Sequence, residues 1–309
     1  MPDAPPNIQK YLGLPLSMRE ILALDLQRPW VLEPILGLGD RLMVVAPAKV
    51  GKTLLVTQIA SHIVLGEPAF GYKTVPRRVL YIDFEMGLYT INDRLKKLAR
   101  LFPDALQDLL YFQVRPRSVA AAIDAVGKAW RQWPEVLIVD PAIRLGYEDE
   151  NNNAQVRKHL DQLSTYAEEM GGAAVILVHH AGKPVRATTS KEYEPIDMGR
   201  GASSFKDWMD TQFSLIGRVN DTRYILHTFS RISAPQDPLV LDRDPDTLLY
   251  TLVRGHETGA EALAQMLQQV RGELGPDATQ SRVVEETAQR LRVSARTIYR
   301  KLKGGEDKV

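Results

Sequence analysis

The sequence predicts an α/β fold in which helices cover both faces of a mostly parallel sheet, with a small all-α unit at the carboxy terminus. Short runs of strand length, rich in Val, Leu and Ile, alternate with longer amphipathic stretches. This alternation is typical of parallel strands joined by crossover helices. The strand-like runs are also apolar at consecutive positions, which indicates burial on both faces of the sheet.

Five strands and four helices are predicted to alternate between residues 41 and 179. The predicted strands are Arg41–Ala46, Arg78–Asp83, Leu109–Val114, Val136–Asp140 and Ala174–His179. The predicted helices are Thr53–Leu65, Thr90–Phe102, Ser118–Trp130 and Ala154–Met170. The following segment Thr211–Leu252 has the composition of strands and turns, and we expect it to add an antiparallel edge to the sheet.

The 309 residues suggest about two domains, and we divide the chain into three parts. Residues 1–34 are rich in proline and are predicted to form an arm with one short helix around Met18–Leu26. Residues 35–254 form the α/β core, and residues 261–309 form a separate helical domain.

Composition excludes several classes of protein. Lys and Arg number 39 against 38 Asp and Glu, for a net charge of +1, so the surface as a whole is not polycationic. The chain has no cysteine, which excludes disulfides, thiolate catalysis and cysteine-based metal sites. The start lacks the features of a signal peptide, and no apolar run approaches the ~18 residues of a membrane span. We therefore expect a cytoplasmic protein without a membrane partner.

A phosphate-binding loop is predicted at residues 46–53, after a strand and before a helix. It consists of Ala46, Pro47, Ala48, Lys49, Val50, Gly51, Lys52 and Thr53. In such a loop the backbone amides and the helix amino terminus form an anion site. Lys52 would neutralise the β- and γ-phosphates, and the Thr53 hydroxyl would bind Mg²⁺. The loop predicts binding of ATP with Mg²⁺, the alternative being a glycine turn with an incidental lysine.

Acidic residues end two of the predicted strands. Asp140 follows the run 136–139, at the sheet edge where ligands of α/β proteins bind, and is expected to hold Mg²⁺ opposite Thr53. Asp83 and Glu85 end a second strand and, by alternation, would point to the same side. Glu85 is our candidate for the base that activates water near the γ-phosphate. The alternative is a solvated acid that leads into the next helix.

Two histidines end a third strand. His179 and His180 would point to opposite faces, which argues against a shared zinc ion. We expect His180 to be a hydrogen-bonding sensor of the γ-phosphate that links nucleotide state to the loop after it. The alternative is that both residues only cap the strand.

These segments together resemble the RecA-like P-loop ATPases, and in particular the hexameric replicative helicases of plasmids and phages (the RepA and DnaB groups). The family's order and approximate spacing are shared by the phosphate loop and by residues 81–85, 137–140, 177–180 and 199–204. The resemblance spans roughly Trp30–Leu252.

The resemblance implies roles for individual residues. Glu85 matches the catalytic glutamate, Asp140 the Mg²⁺-coordinating acid and His180 the γ-phosphate sensor. Arg231 lies on the strand that carries the arginine finger, which acts on a neighbouring subunit of a homo-oligomeric ring. The chain departs from the pattern at Phe229, where several members have lysine, and at Lys49, where glycine is common. It also has only about 35 residues before the core, so it lacks the amino-terminal domain of the bacterial helicases.

The family places a channel loop that touches single-stranded DNA after the sensor strand, at residues 183–200 of this chain. The candidate DNA contacts are Lys183, Arg186 and Arg200. Acidic residues in the same loop offset their charge, which leaves a solvated lid as the alternative.

A helix-turn-helix is predicted at residues 282–302. Its second helix would present Arg296, Thr297, Arg300 and Lys301 to duplex DNA. The alternative is a helical hairpin that docks on a partner or on the ring.

The function expected from these features is a Mg²⁺-dependent, DNA-stimulated ATPase. It would act as a ring-shaped helicase or DNA-remodelling motor in replication of a mobile element. One alternative is an ATP-switched regulator or loader that binds DNA and separates no strands. Another is a signalling or clock-type ATPase that binds no nucleic acid.

Overall fold

The computed structural model describes most of the core and part of the helical carboxy-terminal unit. The described residues are 14–24, 26–99, 109–129, 132–146, 149, 151–181, 203–217, 221–253, 259–275, 278–291, 295 and 298–299. None of the helices in these ranges combines the length and the apolar composition needed to cross a lipid bilayer.

The described residues form twelve strands and eight α-helices. The strands are β1 Trp30–Glu33, β2 Leu36–Gly37, β3 Arg41–Ala46, β4 Lys73–Thr74, β5 Val79–Asp83, β6 Leu110–Val114, β7 Val136–Asp140, β8 Ala174–His180, β9 Thr211–Ile216, β10 Arg223–Ser230, β11 Leu239–Arg243 and β12 Tyr250–Leu252. The helices are α1 Met18–Leu22, α2 Lys52–Leu65, α3 Leu88–Ala99, α4 Val119–Ala129, α5 Asn153–Glu169, α6 Ser204–Trp208, α7 Gly259–Leu274 and α8 Gln280–Leu291. A short 3-10 helix, Ala142–Leu145, follows β7.

Nine strands form the main sheet in the order β12-β11-β10-β9-β3-β8-β7-β5-β6. The strands from β9 to β6 are parallel, and β10, β11 and β12 are antiparallel. β3 therefore lies near the middle of the sheet, and its carboxyl end carries the phosphate loop to the edge where β5, β7 and β8 also end. This topology confirms the α/β fold with a mostly parallel sheet.

Helices cover both faces of the sheet because consecutive residues of each central strand are buried on opposite sides. Val44 packs with α2 and β1 on one face, whereas Met43 and Val45 pack with α4, α5 and α6 on the other. All five residues of β5 and of β7 are buried. The sequence pattern of continuous apolar runs thus has its expected cause.

Two features differ from the sequence-based expectation. β9 is parallel to β3, so only β10–β12 form the antiparallel edge expected from Thr211–Leu252. A small antiparallel sheet in the order β2-β1-β4 lies beside α2, and β1 falls within residues 1–34, the range assigned to the arm. Val31 and Leu32 of β1 are buried in the core, which ties that part of the arm range to the α/β fold.

The carboxy-terminal helices share a separate apolar cluster. Met266, Leu267 and Val270 of α7 pack with residues of α8 and with Ile298. Ile225 of β10 belongs to the same cluster, so these helices contact the antiparallel edge of the main sheet.

Candidate active site

The phosphate loop turns through two residues with left-handed backbone angles. Gly51 precedes α2 with φ 110°, a conformation that glycine adopts without a steric penalty. Lys49 has φ 64°, which costs a non-glycine residue roughly 1–2 kcal/mol. This explains why glycine suits the Lys49 position in related loops. The first amides of α2 have no intrahelical acceptor and form an anion site.

Side chains from the antiparallel edge hold the loop in this shape. The Tyr250 hydroxyl donates to the carbonyl of Val50 at 3.1 Å, and Arg243 donates to the same carbonyl at 3.2 Å. The Gln58 side chain fixes Tyr250 in turn, because it accepts from the Tyr250 amide at 2.8 Å and donates to its carbonyl at 2.7 Å. The loop therefore has a rigid support on the side of α2 and β12.

Lys52 begins α2 and is only 7 % exposed. Burial lowers the pKa of its ammonium group, while the negative charges of Asp140 and Glu85 raise it. Lys52 is thus a buried cation whose nearby counter-charges are the two predicted site acids. A bound polyphosphate would supply further negative charge at this position.

Asp140 ends β7 in a buried position next to the loop. Its Oδ2 accepts a hydrogen bond of 2.7 Å from the Tyr81 hydroxyl, and Thr53 makes a second side-chain hydrogen bond. Burial raises the pKa of Asp140 to about 6, although these two hydrogen bonds lower it. The structure therefore brings together Thr53 and Asp140, the two residues predicted to hold Mg²⁺.

Asp83 stands beside Asp140, since the two residues pair in register on β5 and β7. Its Oδ1 accepts from the amides of Glu85 and Met86 at 2.9 and 2.7 Å. Its Oδ2 is buried and has no hydrogen-bond partner among the described residues, and burial raises the pKa of this carboxyl group.

The residues present fit a hard cation. An orphaned carboxylate oxygen of Asp83, the carboxylate of Asp140 and the hydroxyl of Thr53 are the oxygen ligands that Mg²⁺ prefers. Within the described ranges no group of three or more His, Asp or Glu side chains is arranged for a metal ion. This agrees with the usual mode of Mg²⁺, which takes one or two protein carboxylates and completes its shell with water and phosphate.

Glu85 lies just beyond β5, and its side chain is half exposed. The chain turns after Asp83 through the two amide hydrogen bonds, so the alternation expected for Asp83 and Glu85 ends there. Glu85 Oε1 lies 3.8 Å from Nε2 of His180 on β8. The Glu85 carbonyl accepts from Arg115 at 2.7 Å. The structure thus places the candidate base and the candidate sensor next to each other.

The two histidines differ in environment. His179 is 2 % exposed and stacks on Phe205 with ring centroids 4.4 Å apart. His180 lies at the end of β8 beside Glu85. Their divergence agrees with the expectation that they do not form one metal site.

The remaining predicted residues lie elsewhere. Arg231 follows β10 at the opposite edge of the sheet, where its guanidinium donates to the carbonyls of Lys206 and Asp207 at 3.0 and 3.2 Å. It is not part of the site formed by its own chain. The candidate DNA contacts lie outside the described residues; they are Lys183, Arg186, Arg200, Arg296, Thr297, Arg300 and Lys301.

Comparison with known proteins decides the family. The profile of a family described as "AAA domain" matches residues 7–185, more than half of the chain, and spans the phosphate loop, Glu85, Asp140 and His180. The chain belongs to the AAA domain family. It is a RecA-like P-loop ATPase, and its enzymatic activity is ATP hydrolysis.

Solved structures share the fold of this AAA domain protein. The ATPase domain of a DnaB-like phage helicase superposes with a TM-score of 0.52 at 13% sequence identity, covering 70% of this chain and 85% of that chain. No curated protein matches the sequence significantly.

Sequence reasoning missed several residues of this AAA domain site. Tyr81 could have been found, because it lies two residues before Asp83 on the same side of β5. Gln58, Arg243 and Tyr250 carry no local motif. Tyr250 is about 200 positions from the loop that it supports, and only the strand order brings the two together.

Proposed function

We propose that the protein is a Mg²⁺-dependent ATPase that acts on DNA. It would work as a ring-shaped replicative helicase or DNA-remodelling motor of a plasmid, phage or other mobile element. The observation that carries the proposal is the pair formed by Glu85 and His180, 3.8 Å apart at the sheet edge that bears the phosphate loop. His180 immediately precedes the segment with the candidate DNA contacts.

Each group at this edge has a task in hydrolysis. The loop amides and Lys52 bind the β- and γ-phosphates. Glu85 orients a water molecule and accepts its proton. His180 contacts Glu85, so a change in nucleotide state at the γ-phosphate reaches β8 and the segment after it.

Thr53 and Asp140 would hold Mg²⁺, with Asp83 beside them. The cation supplies charge neutralisation between the β- and γ-phosphates when it is bound. The hydrogen bond from Tyr81 keeps the Asp140 carboxylate oriented toward this position. Ionisation of Asp140 is required for that role, since its pKa is raised to about 6.

Arg231 would act as an arginine finger on the next subunit of a homo-oligomer, as the family resemblance implies. Its place at the edge opposite its own phosphate loop is compatible with action in trans. Turnover per subunit would then fall on dilution below the assembly concentration, and an Arg231→Ala variant would turn over slowly at all concentrations. A rate per subunit that stays constant across assembly and dissociation contradicts this role.

DNA would contact the ring at two places. Lys183, Arg186 and Arg200 would line the channel for single-stranded DNA, and the carboxy-terminal unit would bind duplex DNA. The arrangement of α7 and α8 around one apolar cluster supports a compact helical unit in that region.

The deciding experiment measures ATP turnover with single-stranded DNA, with duplex DNA and without DNA. We expect stimulation by single-stranded DNA, and turnover at background for Lys52→Ala. Lys158→Ala, which removes an exposed lysine of α5, is the matched control and should behave as the wild type. Equal turnover with and without DNA contradicts the proposal.

A regulator or loader that separates no strands is the second candidate. The helical carboxy-terminal unit favours it, because a processive helicase needs no second DNA-binding module. A strand-displacement assay with ATP separates the two candidates, since the regulator binds duplex DNA and displaces nothing.

A further inference from the structure

A cleft of about 590 Å³ opens beside Glu85, within the ~300–1,000 Å³ typical of ligand clefts. It lies where β5, β6 and β7 end. Three arginines line it, Arg115, Arg117 and Arg144, together with the apolar side chains of Phe84, Pro116 and Ile143. We call this feature the arginine cleft.

The lining of the arginine cleft is strongly positive. Glu85 is the only acid among the described residues that line it. Arg117 and Arg144 are exposed, and neither forms a hydrogen bond or an ion pair with a residue that the structure describes. The nearby Asp149 directs its carboxylate at the backbone and side-chain nitrogens of Asn151. Two guanidinium groups are thus available to an anion.

We propose that the arginine cleft binds the phosphodiester backbone of a single-stranded nucleic acid. Guanidinium groups bind phosphate oxygens through paired donors. Phe84 and Ile143 add apolar surface, which a free phosphate would not use and an unstacked base would. This site rests on the proposed function and deepens it, because it gives the strand a contact next to the catalytic glutamate.

Arg115 connects the cleft to Glu85. Its amide donates to the Asp83 carbonyl at 2.6 Å, and its Nη2 and Nε donate to the Glu85 carbonyl at 2.7 and 3.2 Å. A phosphate bound by Arg115 competes for the two guanidinium donors that hold the Glu85 backbone. The strand would therefore shift Glu85 relative to His180 and change the rate of hydrolysis. Arg115 is a positioning residue in this account.

Binding is tested with a labelled oligodeoxythymidine and the full chain, in the presence of a non-hydrolysable ATP analogue. The double variant Arg117→Gln/Arg144→Gln should bind roughly tenfold more weakly, and the slope of log K against log salt should be shallower by about 1.4 for two lost phosphate contacts. Lys96→Gln/Lys158→Gln removes the same charge from exposed positions of α3 and α5 and should leave affinity and slope unchanged. Wild-type affinity and slope in the arginine variant would overturn the site.

Pyrophosphate serves as a second probe, because a small anion site would have the same charge. We expect pyrophosphate to compete with the oligonucleotide only weakly. If the double variant loses pyrophosphate binding and keeps oligonucleotide binding, the cleft binds a small anion and the proposal is wrong.

Coupling is tested with Arg115→Lys, which keeps the charge and loses the two-donor geometry. Oligonucleotide affinity should stay within about twofold, while the ratio of turnover with and without single-stranded DNA should fall toward one. An unchanged ratio would overturn the link to Glu85. Failure of the proposed function is distinguishable, because there the wild type itself shows no response to DNA.

Discussion

Replacement of Gly51 by alanine is expected to weaken binding of a non-hydrolysable ATP analogue by about 2–5 kcal/mol. A methyl group at this position would lie 2.3 Å from the Tyr250 hydroxyl oxygen. The backbone also has φ 110° at Gly51, where an L side chain is strained. Both effects distort the loop whose amides bind the phosphates.

The two contributions can be separated. Left-handed strain accounts for roughly 1–2 kcal/mol, and the contact with Tyr250 for roughly 1–3 kcal/mol, as for an overpacked core. Tyr250 has little freedom to withdraw, because it is 1 % exposed and Gln58 holds its backbone. The larger part of the loss should therefore come from the hydroxyl.

The double variant Gly51→Ala/Tyr250→Phe tests this assignment. It removes the hydroxyl, and the next ring atom lies 3.4 Å from the added methyl, an ordinary contact. The hydrogen bond to Val50 is also lost, at about 0.5–1.5 kcal/mol. Calorimetric titration should show binding tighter than that of Gly51→Ala and weaker than that of the wild type.

Gly171→Ala is the matched control, since Gly171 has φ 87° and a methyl group there would meet no atom within 4 Å. It should lower stability and leave nucleotide affinity unchanged. The reasoning is refuted if Gly51→Ala binds as the wild type does, or if the double variant binds no more tightly than Gly51→Ala.

Asp140→Asn should stabilise the metal-free protein at neutral pH, because a rise in the carboxyl pKa from 3.8 to about 6 corresponds to about 3 kcal/mol. Between these pKa values the folded state binds more protons than the unfolded state, so wild-type stability falls as pH rises; urea unfolding should show this slope in the wild type and not in the variant. Tyr81→Phe removes the donor to Asp140 and should weaken Mg²⁺ binding by about 1.5–3 kcal/mol. Tyr72→Phe, which loses a buried bond to Thr228, should leave Mg²⁺ affinity unchanged, and equal effects of the two variants would contradict the assignment. Glu85→Gln should retain nucleotide binding and lower turnover by about 10²–10⁴-fold in single-turnover assays; full turnover would exclude Glu85 as the base.

The central strands could be predicted because each is buried on both faces. Arg41–Ala46 and Val136–Asp140 have the predicted bounds, since a continuous apolar run can satisfy its burial only inside a covered sheet. The phosphate loop could be predicted because its chemistry requires glycine, lysine and a hydroxyl in sequence.

The direction of β9 and the partners of the loop could not be predicted. β9 follows a long segment, and its parallel pairing with β3 depends on the path of that segment through space. The contacts of Tyr250 and Arg243 with Val50 depend on the curvature and order of the sheet, which no local pattern encodes. The orphaned oxygen of Asp83 likewise results from the turn after β5.

The grip of the β11–β12 hairpin on the Val50 carbonyl bears on where the polypeptide can be shortened. The family match ends at residue 185, and a fragment with that boundary would contain every nucleotide-binding motif. It would nonetheless lack both the guanidinium and the phenol that clamp the loop. The smallest autonomous catalytic fragment therefore extends at least to Leu252, well past the last recognisable motif.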